Sequence, residues 1–190
     1  MGAVEGVPVR AALAVLVAAV LTGCGGGGEV ERVPVPAGFA ELRTGSYAFA
    51  YPAGWRRGDD TDERGRPVLV VTGPVLPSGV TDGQVRLQRY DGRIGFADAL
   101  TQFRGLARMN KYRITADRPV KVAGARRAQR FEASYELADG KGGSIPFKLL
   151  GVYAAAKDGV LVEFMLRAPE QGQASARLPD ILASLRLKGD

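Results

Sequence analysis

Cys24 is the only cysteine among the 190 residues, so no disulfide can close within this chain. Whatever it folds into must be held by a buried apolar core, and a core needs one stretch long enough to bury it. Hydrophobic residues make up 46% of the chain. Beyond the last segment rich in glycine and proline, about 150 residues remain, which suits a single domain.

The position of the lone thiol is as informative as its solitude. Residues 11–20 hold only Ala, Val and Leu, and Leu21-Thr22-Gly23-Cys24 follows them. A run of that length fits the apolar part of a signal peptide, whereas a spanning helix needs about twenty apolar residues. Leu, a small residue, Gly and Cys form the lipobox read by lipoprotein-processing enzymes. Cys24 is therefore expected to be the first mature residue, with a diacylglyceryl group on its sulfur. Each buried methylene contributes roughly 0.8 kcal/mol, and two acyl chains hold stably where one does not. The expected location is the outer face of a cell membrane. A short buried helix with a chance cysteine is the competing reading, and the glycines at 25–28 argue against it. Ahead of the run, Arg10 is the one basic side chain and Glu5 the one acidic.

Three segments follow: a signal peptide at 1–23, a lipidated cysteine with a flexible Gly/Pro tether at 24–44, and one domain at 45–190. Gly25 to Gly28 supply flexibility, and Val33-Pro34-Val35-Pro36 is extended and stiff. Within the domain, Tyr47, Phe49 and Tyr51 alternate with small residues, giving a strand with one aromatic face that ends at Pro52-Ala53-Gly54. A charged loop is expected over 59–65. Residues 68–72 read as a strand covered on both faces, and 85–90 as a further strand. Phe96, Leu100, Phe103 and Ala107, with Ala99, Leu106 and Asn110 alongside, predict a helix with one apolar stripe against a sheet. An extended piece at 114–116, strands at 120–122 and 125–137, and a hairpin of 147–156 with 160–166 through Asp158-Gly159 come next. Leu178, Ile181, Leu182 and Leu185 predict a last helix, with Pro179 in its first turn or bending it. The order predicts an α+β fold, a central antiparallel β-sheet with helices packed against it.

Two motifs carry a resemblance. Tyr47-Ala48-Phe49-Ala50-Tyr51-Pro52-Ala53-Gly54-Trp55 resembles the opening of PsbP-like domains, and Ile181-Leu182-Ala183-Ser184-Leu185-Arg186 resembles their closing helix. With Cys24 ahead of them, the chain resembles LpqN-type lipoproteins of actinobacteria, and its twenty arginines against six lysines suit a high-GC genome. The resemblance implies an α/β/α sandwich serving as a binding or accessory scaffold, usually without catalysis. Pro52, Gly54 and Trp55 have a structural reading within it: strand end, turn and gap-filling ring. A fold shared this widely does not specify a function.

The chemistry is sparse. There is no histidine, which removes the commonest general base and metal ligand and every triad built on it. No nucleophile elbow and no phosphate-cradling loop occurs. Ser144 and Lys148 lie four apart on an expected strand, with no oxyanion donors nearby. Asp59, Asp60, Asp62 and Glu63 imitate the start of a calcium loop, but Arg64 stands where a ligand belongs and Val71 ends it. No enzyme activity, cofactor or metal is expected.

The charge is uneven. Between Arg86 and Arg130 there are twelve basic residues against Asp91, Asp98 and Asp117, a local net charge of +9 in a chain of net +6. Arg104, Arg108 and Lys111 fall at spacings of four and three on the expected helix, and are the candidate site for an anionic partner: lipid headgroups, an envelope polymer or an acidic protein patch. A solvated cationic face is the plainer account. Nucleic acid is not expected as a partner of an exported protein. Two functions follow: a non-catalytic membrane-anchored binding or accessory module of the cell envelope, or a carrier (less readily a hydrolase) of a hydrophobic small molecule between sheet and helix. For the second, Tyr47, Tyr51, Trp55, Phe131, Tyr135 and Tyr153 are the candidate lining.

Overall fold

The computed structural model describes residues 30–32, 35–92, 94–139 and 142–189. Among these, the chain forms β1 (Phe39–Arg43), β2 (Tyr47–Pro52), β3 (Arg56–Thr61), β4 (Pro67–Thr72) and β5 (Gln84–Tyr90), then α1 (Phe96–Met109). After the helix come β6 (Arg113–Val120), β7 (Ala125–Ala138), β8 (Ser144–Ala156) and β9 (Leu161–Pro169). A 3-10 turn (Gln173–Ala176), α2 (Leu178–Ala183) and β10 (Arg186–Leu187) complete the fold. Seven strands make one sheet in the order β3-β4-β5-β9-β8-β7-β6, with every neighbouring pair antiparallel. A small sheet, β1-β2-β10, packs on it. This is the α+β architecture that the alternation predicts.

The long apolar run of β8 follows from its place near the middle of the large sheet, where both faces are covered. Leu150, Val152, Ala154 and Ala156 enter one core, and Phe147, Leu149, Tyr153 and Ala155 the other. It turns into β9 through Lys157-Asp158-Gly159, where Asp158 Oδ1 accepts the Val160 N–H at 3.0 Å. The first core lies between the large sheet, the small sheet and α2. Phe49 and Phe164 meet there with centroids 4.9 Å apart, and Leu178, Ile181 and Leu185 fill the helix side. Pro179 sits in the first turn of α2, where its missing N–H has no partner to lose. Ser184 explains its place in the closing motif: its hydroxyl donates to the Ile181 carbonyl at 2.7 Å and accepts the Ala50 N–H at 2.8 Å, fastening the end of α2 to β2. Trp55 belongs to this side as well, lying so close to Gly83 that a Cβ there would come within 2.5 Å of its ring.

Several boundaries differ from expectation. Phe39–Arg43, inside the stretch read as tether, pairs with β2 and buries Leu42, so the ordered fold starts before residue 45. Val30 is buried as well. Of the charged loop expected over 59–65, residues 62–65 do form the turn, whereas 59–61 belong to the strand β3. It is an exposed edge paired on one side only, so no apolar alternation marks it. The two pieces expected over 114–122 are the single strand β6, with irregular register between Ile114 and Ala116 and Pro119 tolerated at the sheet edge. The last helix stops at Ala183, and Leu185 lies beyond it. Cys24 and the signal peptide expected over 1–23 lie outside the described residues. No helix among them is long and apolar enough to cross a membrane.

Candidate functional site

The second face of the large sheet is packed by α1. Its buried residues are Ala99, Leu100, Phe103 and Ala107, while Leu106, expected on the same stripe, is 56% exposed at the helix edge. The helix ends where the Asn110 Nδ2 donates to the Leu106 carbonyl at 2.9 Å and Lys111 takes a left-handed conformation with φ 56°. Phe103 anchors the packing, with ring centroids 4.4 Å from Phe131 and 6.1 Å from Tyr153. Tyr135 continues this aromatic wall between Tyr112 at 4.6 Å and Phe147 at 5.5 Å.

One helix cannot cover seven strands. Between α1 and the uncovered part of the sheet lies a cleft of about 900 Å³, bounded by β5, β8, β9, the β3–β4 turn and the helix edge. Its floor follows from strand alternation. On β9, Val162, Phe164 and Leu166 face the closed core, so Glu163, Met165 and Arg167 face the cleft. On β5, Val85 and Leu87 face the core, and Gln84, Arg86, Gln88 and Tyr90 the cleft. Gly151, opposite Met165, has no side chain because the thioether occupies that space: a Cβ would lie 2.2 Å from Sδ.

Register brings the polar residues into one row, with Gln88 opposite Glu163 and Glu163 opposite Tyr153. Tyr90 Oη lies 2.6 Å from Glu163 Oε2 and 3.1 Å from Gln88 Oε1; it has one proton to give, and the shorter contact to the carboxylate takes it. Tyr153 also hydrogen-bonds Glu163. Gln88 Nε2 donates to Asp62 Oδ2 at 2.6 Å, and Asp62 accepts Arg66 Nε at 2.7 Å and the N–H groups of Arg64 and Arg66 at 2.9 Å each. The Arg66 guanidinium lies 4.7 Å from the Tyr90 ring centroid.

Burial pushes the Tyr90 and Tyr153 phenols far above their ordinary value, and the Glu163 carboxylate adds to the shift. Both stay protonated and act as donors. Burial also raises Tyr135, partly offset by Arg167. The hydrogen bond from Arg66 holds the Asp62 carboxyl well below the usual carboxylate range. Each of these shifts points away from neutral pH. Gln84 Oε1, on a cleft-lining residue, is shielded from solvent and has no hydrogen-bond partner among the described residues.

The predicted anionic-partner residues separate. Arg104 is held in a two-point pair with Asp117 on β6, Nε to Oδ2 at 2.8 Å and a second nitrogen to Oδ1 at 3.1 Å. Asp117 also accepts Gln129 Nε2 at 2.5 Å, and Arg104 holds its carboxyl below the usual range. Arg108 and Lys111 are exposed and make no ion pair among the described residues. The aromatic list also divides: Tyr135 and Tyr153 line the cleft with Phe131 packed behind, while Tyr47, Tyr51 and Trp55 belong to the opposite core. Ser144 donates to Glu136 at 2.7 Å. Asp62 closes the β3–β4 turn through the bonds given above. Of the row Gln88–Glu163–Tyr153, sequence reasoning singles out Tyr153 but neither Gln88 nor Glu163. The row's signal was the polar residue at every second position of β5, visible only once that strand is known to have a covered second face.

No family profile matches the chain, and no curated protein matches it. Two solved structures are similar in shape. PA94 of Pseudomonas aeruginosa, a protein of unknown function and candidate regulator, is 11% identical with a TM-score of 0.47, over 77% of this chain and 94% of that one. LpqN of Mycobacterium tuberculosis, involved in cell envelope biogenesis, is 14% identical with a TM-score of 0.44, over 87% of each chain. At these values neither likeness bears on family or function, and the resemblance to LpqN-type and PsbP-like proteins rests on the motifs at 47–55 and 181–186.

Proposed function

We propose that the protein is a membrane-tethered, non-catalytic binding module of the cell envelope. Its ligand is an amphipathic small molecule held between α1 and the large sheet. The cleft carries this reading: its volume lies in the range of small-molecule sites, and it joins an aromatic wall to a few fixed polar groups. Phe103, Leu149 and Tyr135 receive the apolar body. Arg86, on the cleft floor, offers a cation with no ion pair among the described residues.

The non-catalytic part is supported by the state of the polar row. Its phenols hold their protons, its Asp62 carboxylate is saturated with donors, and the row works as a rigid frame. The tether follows from Cys24 and the lipobox around it.

Native mass spectrometry of the full chain purified from its own membranes tests the reading. Gly105 lines the cleft from α1 and a Cβ there meets nothing within 4 Å, so Gly105→Trp is chosen to put a bulky ring on the cleft wall. The expected result is an added small-molecule mass on the wild type that is absent from Gly105→Trp. An adduct retained in full by that variant places the ligand elsewhere, and a wild type that is always free of ligand removes the proposal.

A further inference from the structure

We infer that the C-terminal turn of α1 is a docking tip for an anionic bilayer surface, in which Leu106 and Met109 enter the interface and Arg108 and Lys111 meet the headgroups. Met109 is 78% exposed and Leu106 56%, the two lie three apart on the helix, and both line the mouth of the cleft. A single exposed apolar residue needs no explanation. Two on one helical edge, at a tip that also carries Arg108 on the solvent side of the helix and Lys111 just past its end, suit insertion at a membrane interface.

The charges sharpen the choice. Several of the twelve basic residues between Arg86 and Arg130 are occupied: Arg104 by Asp117, Arg130 by Glu132 at 2.8 Å, Arg89 by Asp91 at 3.6 Å, and Arg127 over the Phe96 ring at 4.3 Å. Arg108 and Lys111 have no such partner among the described residues. The helix dipole accounts for cations at this end of α1, but not for a methionine that leaves most of its surface in water. A protein partner needs roughly 800 Å² of matched surface on each side, which one helical turn does not present. A bilayer needs only a protruding apolar pair with cations beside it. The tip stands whether or not the cleft is filled.

Vesicle co-sedimentation tests this with the full chain carrying Cys24→Ser, so that no acyl group is attached. Every variant keeps the same N-terminal apolar run, whose contribution cancels between them. Phosphatidylcholine vesicles with and without phosphatidylglycerol are compared. Each cation near an anionic surface contributes about fivefold, so Arg108→Glu with Lys111→Glu is expected to weaken binding to the anionic vesicles by at least roughly twentyfold. Leu106→Ser with Met109→Ser is expected to weaken binding to both vesicle types. Lys121→Glu with Arg126→Glu makes the same change in net charge where β6 turns into β7, about 25 Å along β6 from its start. That is more than two screening lengths, and it is expected to cost no more than about twofold. A polarity-sensitive dye on Met109→Cys in the Cys24→Ser chain is expected to shift to the blue on anionic vesicles. The inference is overturned if both charge-reversed pairs weaken binding equally, if binding is indifferent to phosphatidylglycerol, or if the dye stays in water.

Discussion

The two faces of the seven-stranded sheet are built from the same strands and have opposite character. Toward the small sheet and α2, β4, β5, β8 and β9 present Leu69, Val71, Val85, Leu87, Val152, Phe164 and Leu166, all buried. Toward α1, β5, β8 and β9 present Gln84, Arg86, Gln88, Glu163 and Arg167 beside Tyr153 and Met165, along a cleft. One face is closed by two layers and excludes water. The other is half covered and keeps hydrogen-bonding groups in fixed positions. Alternation makes this possible, because each strand contributes to both faces with every second residue. Stability and binding can therefore be changed separately, by substitutions one position apart.

The largest effect is expected on the closed face. Phe164→Ala removes a fully buried ring that packs on Phe49 and is expected to cost about 3–5 kcal/mol. In a domain of this size the thermal midpoint should fall by roughly 10 °C. The neighbouring Glu163→Gln changes the open face. It replaces the carboxylate that accepts from Tyr90 and Tyr153 and is expected to cost about 2 kcal/mol by denaturant unfolding. Ligand binding should fall more than that loss explains, because the frame of the cleft is loosened.

Acid separates the faces in another way. Asp62 titrates lower in the folded protein than in the unfolded chain, so its contribution is complete above about pH 5 and is lost progressively as pH falls through the ordinary carboxylate range and below it. The thermal midpoint should drop between pH 5 and pH 2, and Asp62→Asn should flatten that drop while lowering the midpoint at pH 7. A parallel profile in both proteins contradicts the role given to Asp62.

Smaller effects belong to the helix that roofs the cleft. Arg104→Ala breaks a two-point pair, but the Arg104 side chain is 37% exposed, so about 1 kcal/mol or less is expected. If Arg104 instead serves an anionic partner, its loss should spare stability and abolish that binding. Leu106→Ser is expected to change stability by less than about 0.5 kcal/mol. A larger loss in unfolding experiments shows that the rim belongs to the core.

The sequence is most legible where burial is one-sided or complete. Phe96, Leu100, Phe103 and Ala107 mark α1, and the unbroken run at 147–156 marks β8, because solvent sorts residues by face. It is least legible at β3 and β10. The first is a charged edge, and the second is a two-residue strand defined by its bonds to β2. The site follows the same rule. Six aromatics are the candidate lining of a pocket between sheet and helix, but alternation alone does not say which core each enters, and only Tyr135 and Tyr153 line the cleft. Arg104 read as a surface cation because its partner, Asp117, lies thirteen residues away on a strand whose register local pattern does not fix. Glu163 and Gln88, 75 residues apart, meet only through the β5–β9 pairing.

The central claim is that the cleft under α1 is a binding site while the opposite face is the stabilising core. Titration of the full chain with an amphipathic fluorescent probe tests it most directly, comparing wild type with Gly105→Trp. Saturable binding of one probe per chain is expected in the wild type and its loss in the variant, with the thermal midpoint unchanged or slightly raised, since glycine costs about 1 kcal/mol within a helix. Equal binding by both proteins, each with an intact fold, contradicts the account.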